Sequence, residues 1–89
     1  PFLSPGGAAY LVGRKVRAVG IDHYSIGGAG GRTNDETHEI LLSRGIWIVE
    51  ELRFPDEAFA VPQPVLFWSL PIHLRGGSGM FCRPVLAVE

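Results

Sequence analysis

Residues 16–50 read VRAVGIDHYSIGGAGGRTNDETHEILLSRGIWIVE, and the succession of textures in that stretch decides the fold. Val16, Ala18, Val19 and Ile21 form an apolar run ending at Asp22, the pattern of a buried strand. A glycine-rich loop follows, Gly27-Gly28-Ala29-Gly30-Gly31. Thr33 and Glu36 then stand at capping-box spacing, and acids at Asp35 and Glu36 suit the positive end of a helix dipole. The predicted helix runs to about Arg44, with Ile40, Leu41 and Leu42 on its inward side and Gly45 as its stop. Ile46-Trp47-Ile48-Val49 is a continuous apolar strand that arrives at Glu50.

Towards the N-terminus, Ser4-Pro5 has the form of a helix start, Ser4 as N-cap and Pro5 at the first helical position. Ala8, Ala9, Tyr10, Leu11 and Val12 continue a short helix that stops at Gly13. Towards the C-terminus, residues 53–64 hold three prolines and read as loop. A strand is expected to begin at Val65 and extend past Pro71 as far as Leu74. Gly76-Gly77-Ser78-Gly79 is a turn, and Met80 to Val88 a last strand interrupted by Pro84. The expected fold class is therefore α/β: a mixed sheet of at least four strands with two short helices. The runs Ile46–Val49 and Val65–Trp68 lack alternation, so both their faces are expected to be covered. Two short helices cannot cover both faces of such a sheet, and more protein is expected against it, from an N-terminal portion or a partner subunit.

Composition narrows the function classes. The chain has 89 residues, 46% hydrophobic and 19% charged, which argues against disorder. A net charge of −1 gives no general attraction to nucleic acid or an anionic membrane. Arg14, Lys15 and Arg17 form the one close basic group and read as a solvated face. No apolar run approaches the roughly 18 residues that cross a bilayer. One cysteine, Cys82, cannot form an internal disulfide, and the expected location is cytoplasmic. The chain opens on Pro1 rather than methionine, so the expectation is that something precedes it in the gene product or that the chain has been processed or trimmed.

Two residues carry the chemistry. His38 lies mid-helix and Glu50 at the end of the next strand; a turn at Gly45 brings the strand back alongside the helix, where the two side chains can meet. Imidazole and carboxylate together make half a site for zinc or manganese. Spacing alone leaves open a helix histidine bonded to a neighbour beside an exposed acid. A Ser25–His23 catalytic pair is disfavoured because adjacent loop residues rarely form one, and Asp22 is expected to brace the glycine loop through backbone hydrogen bonds. Cys82 reads as inert packing, and His73, late in a strand, as partly exposed. Trp47, Phe67 and Trp68 read as core or subunit interface, with an aromatic wall for a substrate ring as the alternative. The glycine loop lacks the third glycine of the dinucleotide fingerprint, and no Lys-Ser/Thr pair follows it, which counts against nucleotide binding.

The segments VRAVGIDHYSIG (16–27) and THEILLSRGIWIVEEL (37–52) resemble the cyclase family of kynurenine formamidase-like, metal-dependent amide hydrolases. In that family a GID strand precedes a helix carrying a histidine and then a strand ending in glutamate. PFLSPGGAAYLV (1–12) is similar to the helix before the GID strand, and LPIHLRGGSGMFCRPVLAVE (70–89) to the closing strand pair. The resemblance implies the C-terminal part of the cyclase-type swivelling β/β/α fold, with one or two divalent ions, usually zinc or manganese. It implies His38 and Glu50 as metal ligands, Asp22 and Ser25 near the substrate, and Glu51 as a solvent-facing position. The family's other ligands lie in an N-terminal H-x-G-T-H-x-D motif, with an acid/base histidine shortly after it. Neither occurs here, where His23, His38 and His73 are far apart. The expected function is thus one part of a hydrolase of aryl formamides or cyclic amides and imides, incomplete by itself. Its expected partners are a complementing N-terminal chain or a second copy, and a small-molecule substrate. The alternative is a non-catalytic binding or assembly module derived from that family.

Overall fold

The computed structural model describes residues 1–62 and 66–88, which divide into two compact units, Pro1–Arg53 and Phe54–Glu89. Val65, where a strand was expected to start, and Pro64 before it lie outside the described residues.

The first unit is built as its sequence requires. Helix α1 (Pro5–Gly13) is capped by Ser4, whose Oγ accepts from the Gly7 N–H at 3.1 Å, with Pro5 where its missing N–H costs nothing. The chain then reverses at Lys15, not at Gly13. Lys15 N–H donates to Val12 O at 3.0 Å and Val16 N–H to Leu11 O at 3.4 Å. This is a Schellman closure with a lysine at φ 57° in the left-handed position. Strand β1 (Ala18–Gly20) follows, shorter than the expected 16–21, although Arg17 O and Ile21 N–H continue its ladder.

Helix α2 (Arg32–Leu42) starts earlier than expected. Its N-cap is Gly31, which has no side chain, so the Thr33–Glu36 capping box does not form. Glu36 instead accepts from Arg32 Nε at 2.6 Å across one turn. Gly45, at φ 69°, ends the helix through a second Schellman closure: its N–H donates to Leu42 O at 3.0 Å and Ile46 N–H to Leu41 O at 3.1 Å. Strand β2 (Trp47–Val49) pairs parallel with β1 in the register Ala18↔Trp47, Val19↔Ile48, Gly20↔Val49. The segment is therefore a strand–helix–strand unit, in which a parallel pair requires the helical crossover.

Its core is Ala8, Ile26, Leu41 and Ile46, with Leu3, Val12, Val16, Val19, Ile21, Ile40 and Ile48 packed around it. Leu42, expected inward, is exposed, because Thr37 and Leu41 define the buried stripe of α2. Thr37 is fully buried and donates its hydroxyl to Leu3 O at 3.1 Å, while Leu3 N–H donates to Ile26 O at 2.8 Å. The N-terminal segment is thereby tied to both α2 and the loop after β1.

The second unit contains a short 3-10 helix (Asp56–Ala60) and strands β3 (Leu66–Trp68) and β4 (Val85–Ala87), paired antiparallel with Phe67↔Leu86 at the centre. Past β3 the pairing continues only as a bridge between Pro71 and Cys82, since proline donates nothing to a ladder. Met80 and Phe81 are accordingly outside the last strand, which is shorter than expected.

Among the described residues the α/β class and the two helices stand, with parallel and antiparallel pairing divided between two two-stranded sheets. Of the two runs expected to be covered, the described residues bury only Ile46 and Val49. Trp47 is 60% exposed, Leu66 56% and Trp68 44%, and no described residue of the second unit is buried. No helix among the described residues is long and apolar enough to cross a membrane.

Candidate metal half-site at the end of strand β2

Helix α2 and strand β2 deliver His38 and Glu50 to the same place. The Schellman turn at Gly45 folds β2 back along α2, and Nε2 of His38 comes to lie 3.3 Å from Oε1 of Glu50, both side chains about one-third exposed.

The hydrogen bonds around the pair fix its chemistry. Nδ1 of His38 lies 2.9 Å from the backbone oxygen of Asn34, one turn earlier on α2. A carbonyl only accepts, so Nδ1 carries a proton and donates, which leaves Nε2 as the ring atom facing Glu50. Glu50 Oε1 accepts from the Ile26 N–H at 2.8 Å, a bond strengthened by the carboxylate charge. A bare lone pair facing a carboxylate oxygen is repulsive, so the arrangement requires a proton on Nε2 or a cation between the two atoms. Two ligand atoms about 2.0–2.1 Å from one zinc ion in a tetrahedral shell are about 3.3 Å apart. The donor types, the tautomer and the separation fit a divalent cation. They supply two ligands only: no group of three or more His, Cys, Asp or Glu able to hold a metal occurs among the described residues.

The loop between β1 and α2 forms the wall beside this pair. Ser25 Oγ donates to Asn34 Oδ1 at 2.7 Å, and Gly27 N–H donates to the same oxygen at 3.1 Å. A Cβ on Gly27 would lie 2.6 Å from Asn34 Cα, so glycine is needed where the loop meets the first turn of α2. The brace expected of Asp22 is thus supplied by Asn34, while Asp22 is exposed at the end of β1. Sequence reasoning missed Asn34 because it stood inside an apparent capping box. The available signal was its position four residues before His38, on the same helical stripe.

Ser25 and His23 are close but not as a catalytic pair. His23 Nδ1 contacts the Ser25 backbone, 3.0 Å from O and 3.3 Å from N, and its ring lies against Tyr24, whereas the Ser25 hydroxyl is committed to Asn34. Beyond β2, Glu51 is exposed and takes a left-handed φ of 54°, its N–H donating to His23 O at 2.9 Å. In the second unit His73 is exposed, and Cys82 is half-buried, 3.1 Å from Ser69 Oγ, rather than packed in a buried strand.

No protein-family model matches this chain, and no curated protein matches it significantly. A solved structure described as a potential metal-dependent hydrolase with cyclase activity superposes with a TM-score of 0.77 at 31% identity. The match covers 96% of this chain and 40% of that one, so the chain spans two-fifths of that protein's length. The α/β fold is thus shared with a cyclase-like hydrolase over nearly all of this chain.

Proposed function

We propose that this chain belongs to the cyclase family and is one part of a metal-dependent hydrolase acting on amide bonds of small molecules, aryl formamides or cyclic amides and imides. His38 and Glu50 are two ligands of its divalent cation, zinc or manganese. The observation that carries the reading is the 3.3 Å approach of His38 Nε2 to Glu50 Oε1, with Nδ1 already committed to Asn34 O. The structural likeness to a protein described as a potential metal-dependent hydrolase supports it.

When bound, such a cation would polarise a carbonyl and, if zinc, lower the pKa of its water to about 7. This chain's own residues hold and orient. Helix α2 fixes the imidazole through the Asn34 carbonyl, and the Ile26 N–H fixes the carboxylate. Asp22, exposed just past β1, and Ser25, in the loop that follows with its hydroxyl held by Asn34, lie on the substrate side. A catalytic zinc site needs three protein ligands and an open position, so further ligands and the acid/base group come from additional polypeptide, an N-terminal segment or a second chain. The exposed apolar residues of β3, Leu66, Phe67 and Trp68, support such a partner, because burying them against added polypeptide is favourable.

Isothermal titration of the full chain with zinc or manganese tests the reading. One cation per chain is expected to bind, with affinity falling tenfold or more in His38→Ala and in Glu50→Gln. Absence of binding at millimolar cation, or binding indifferent to both substitutions, overturns it. A metal-free oligomer would point instead to the binding or assembly module.

A further inference from the structure

One residue serves both arms of the His38–Glu50 pair, His38 by a direct bond and Glu50 through the loop that holds it. The backbone oxygen of Asn34 accepts from His38 Nδ1 at 2.9 Å, and its side-chain oxygen accepts from Ser25 Oγ at 2.7 Å and Gly27 N at 3.1 Å. Those two bonds flank Ile26, whose side chain is 1% exposed and whose N–H donates to Glu50 Oε1 at 2.8 Å. The loop is thus pinned on both sides of the one amide that orients the carboxylate. Helix α2, which carries the histidine, does the pinning.

We propose that Asn34 is a positioning residue for the half-site: its carboxamide oxygen clamps residues 25–27 to α2 and so aims the Ile26 N–H that holds Glu50 opposite His38. The assignment of the pair as cation ligands rests on the function proposed above; the clamp itself does not. The backbone bond to His38 survives any substitution at position 34, so side-chain variants separate the two arms. Asn34→Ala deletes the accepting oxygen, whereas Asn34→Asp keeps an acceptor for both donors. Outer partners of this kind typically change metal affinity 10–100-fold when removed.

Two measurements on the full chain decide the matter. In the metal-free protein, hydrogen exchange of the Ile26 amide followed by NMR is expected to quicken about tenfold or more in Asn34→Ala, the loss of two ordinary hydrogen bonds, and to stay near wild type in Asn34→Asp. In a manganese titration read by paramagnetic broadening of the His38 ring protons, Asn34→Ala is expected to weaken binding about tenfold or more. Should Asn34→Ala fail to fold, Ser25→Ala, which removes one of the two bonds, is expected to quicken Ile26 exchange by a smaller factor. Unchanged Ile26 exchange in Asn34→Ala, or in Ser25→Ala where the former does not fold, overturns the clamp, as does Asn34→Asp behaving like Asn34→Ala. If wild type binds neither manganese nor zinc while Ile26 exchange responds as expected, the metal reading fails and the clamp stands.

Discussion

Gly27→Ala places a methyl group where the structure has none to spare. The added Cβ would lie 2.6 Å from Asn34 Cα, 2.8 Å from Asn34 Oδ1 and 3.0 Å from Asn34 O. Ordinary carbon–carbon contact begins at about 3.5 Å, so the overlap with Cα alone approaches roughly 1 Å. Two of the three atoms are helix backbone, and no rotamer change clears them. The loop and the first turn of α2 must therefore separate, which strains or breaks the Ser25 and Gly27 bonds to Asn34 Oδ1. Overpacking of this kind costs about 1–3 kcal/mol, and two part-buried hydrogen bonds roughly 0.5–1.5 kcal/mol each. Replacing glycine restricts the unfolded chain and returns about 0.4–1 kcal/mol. The net expectation is destabilisation by about 1–5.5 kcal/mol, measured by urea unfolding followed by circular dichroism. A variant within about 0.5 kcal/mol of wild type would mean that the loop does not rest on α2 as described, and the placement of Ile26 N–H on Glu50 would lose its support.

Two further substitutions test the same unit elsewhere. Lys15→Gly relieves a left-handed lysine at φ 57° while keeping its N–H to Val12, and is expected to raise stability by about 0.5–1 kcal/mol in the same denaturation assay; a loss of stability would contradict the closure at that position. Thr37→Val keeps the shape of a fully buried side chain but deletes its bond to Leu3 O, and is expected to cost about 1–2 kcal/mol, seen as a lower urea midpoint with an unchanged slope.

Much of the first unit was legible because its signals are local. Ser4-Pro5 starts a helix wherever apolar residues follow, and a glycine at position 45 lets α2 reverse into β2, which brings Glu50 to His38. The misreadings came from residues with two competing local partners. Thr33 and Glu36 have capping-box spacing, but Gly31 can adopt the extended, positive-φ cap and start the helix two residues earlier. That frees Glu36 for Arg32 and turns the Asn34 side chain towards the loop. At the end of α1 the reversal falls at Lys15, because the closure needs apolar residues at Leu11 and Val16 more than it needs a glycine. The second unit was read less well for a different reason. Its strands are short and its apolar residues exposed, so the pattern records a packing that this chain does not supply from its own described residues.

That contrast bears on how a site would be assembled. His38 and Glu50 are held by elements consecutive in sequence, their orientation set by Asn34 O and Ile26 N–H, and all four residues lie inside the unit that has the buried core. Closing so short a loop costs little entropy, and the helix and strand that carry the donors are fixed by Leu41 and Ile46 whether or not a cation is present. The placement of His38 opposite Glu50 is therefore a property of this chain's own packing. The second unit offers the opposite: no buried side chain among its described residues, with Leu70, Ile72 and Phe81 more than 70% exposed. On the proposed reading a complementing polypeptide delivers its ligands to a His38–Glu50 pair already in place. Adding that polypeptide should therefore tighten cation binding without rearranging the elements that carry the pair.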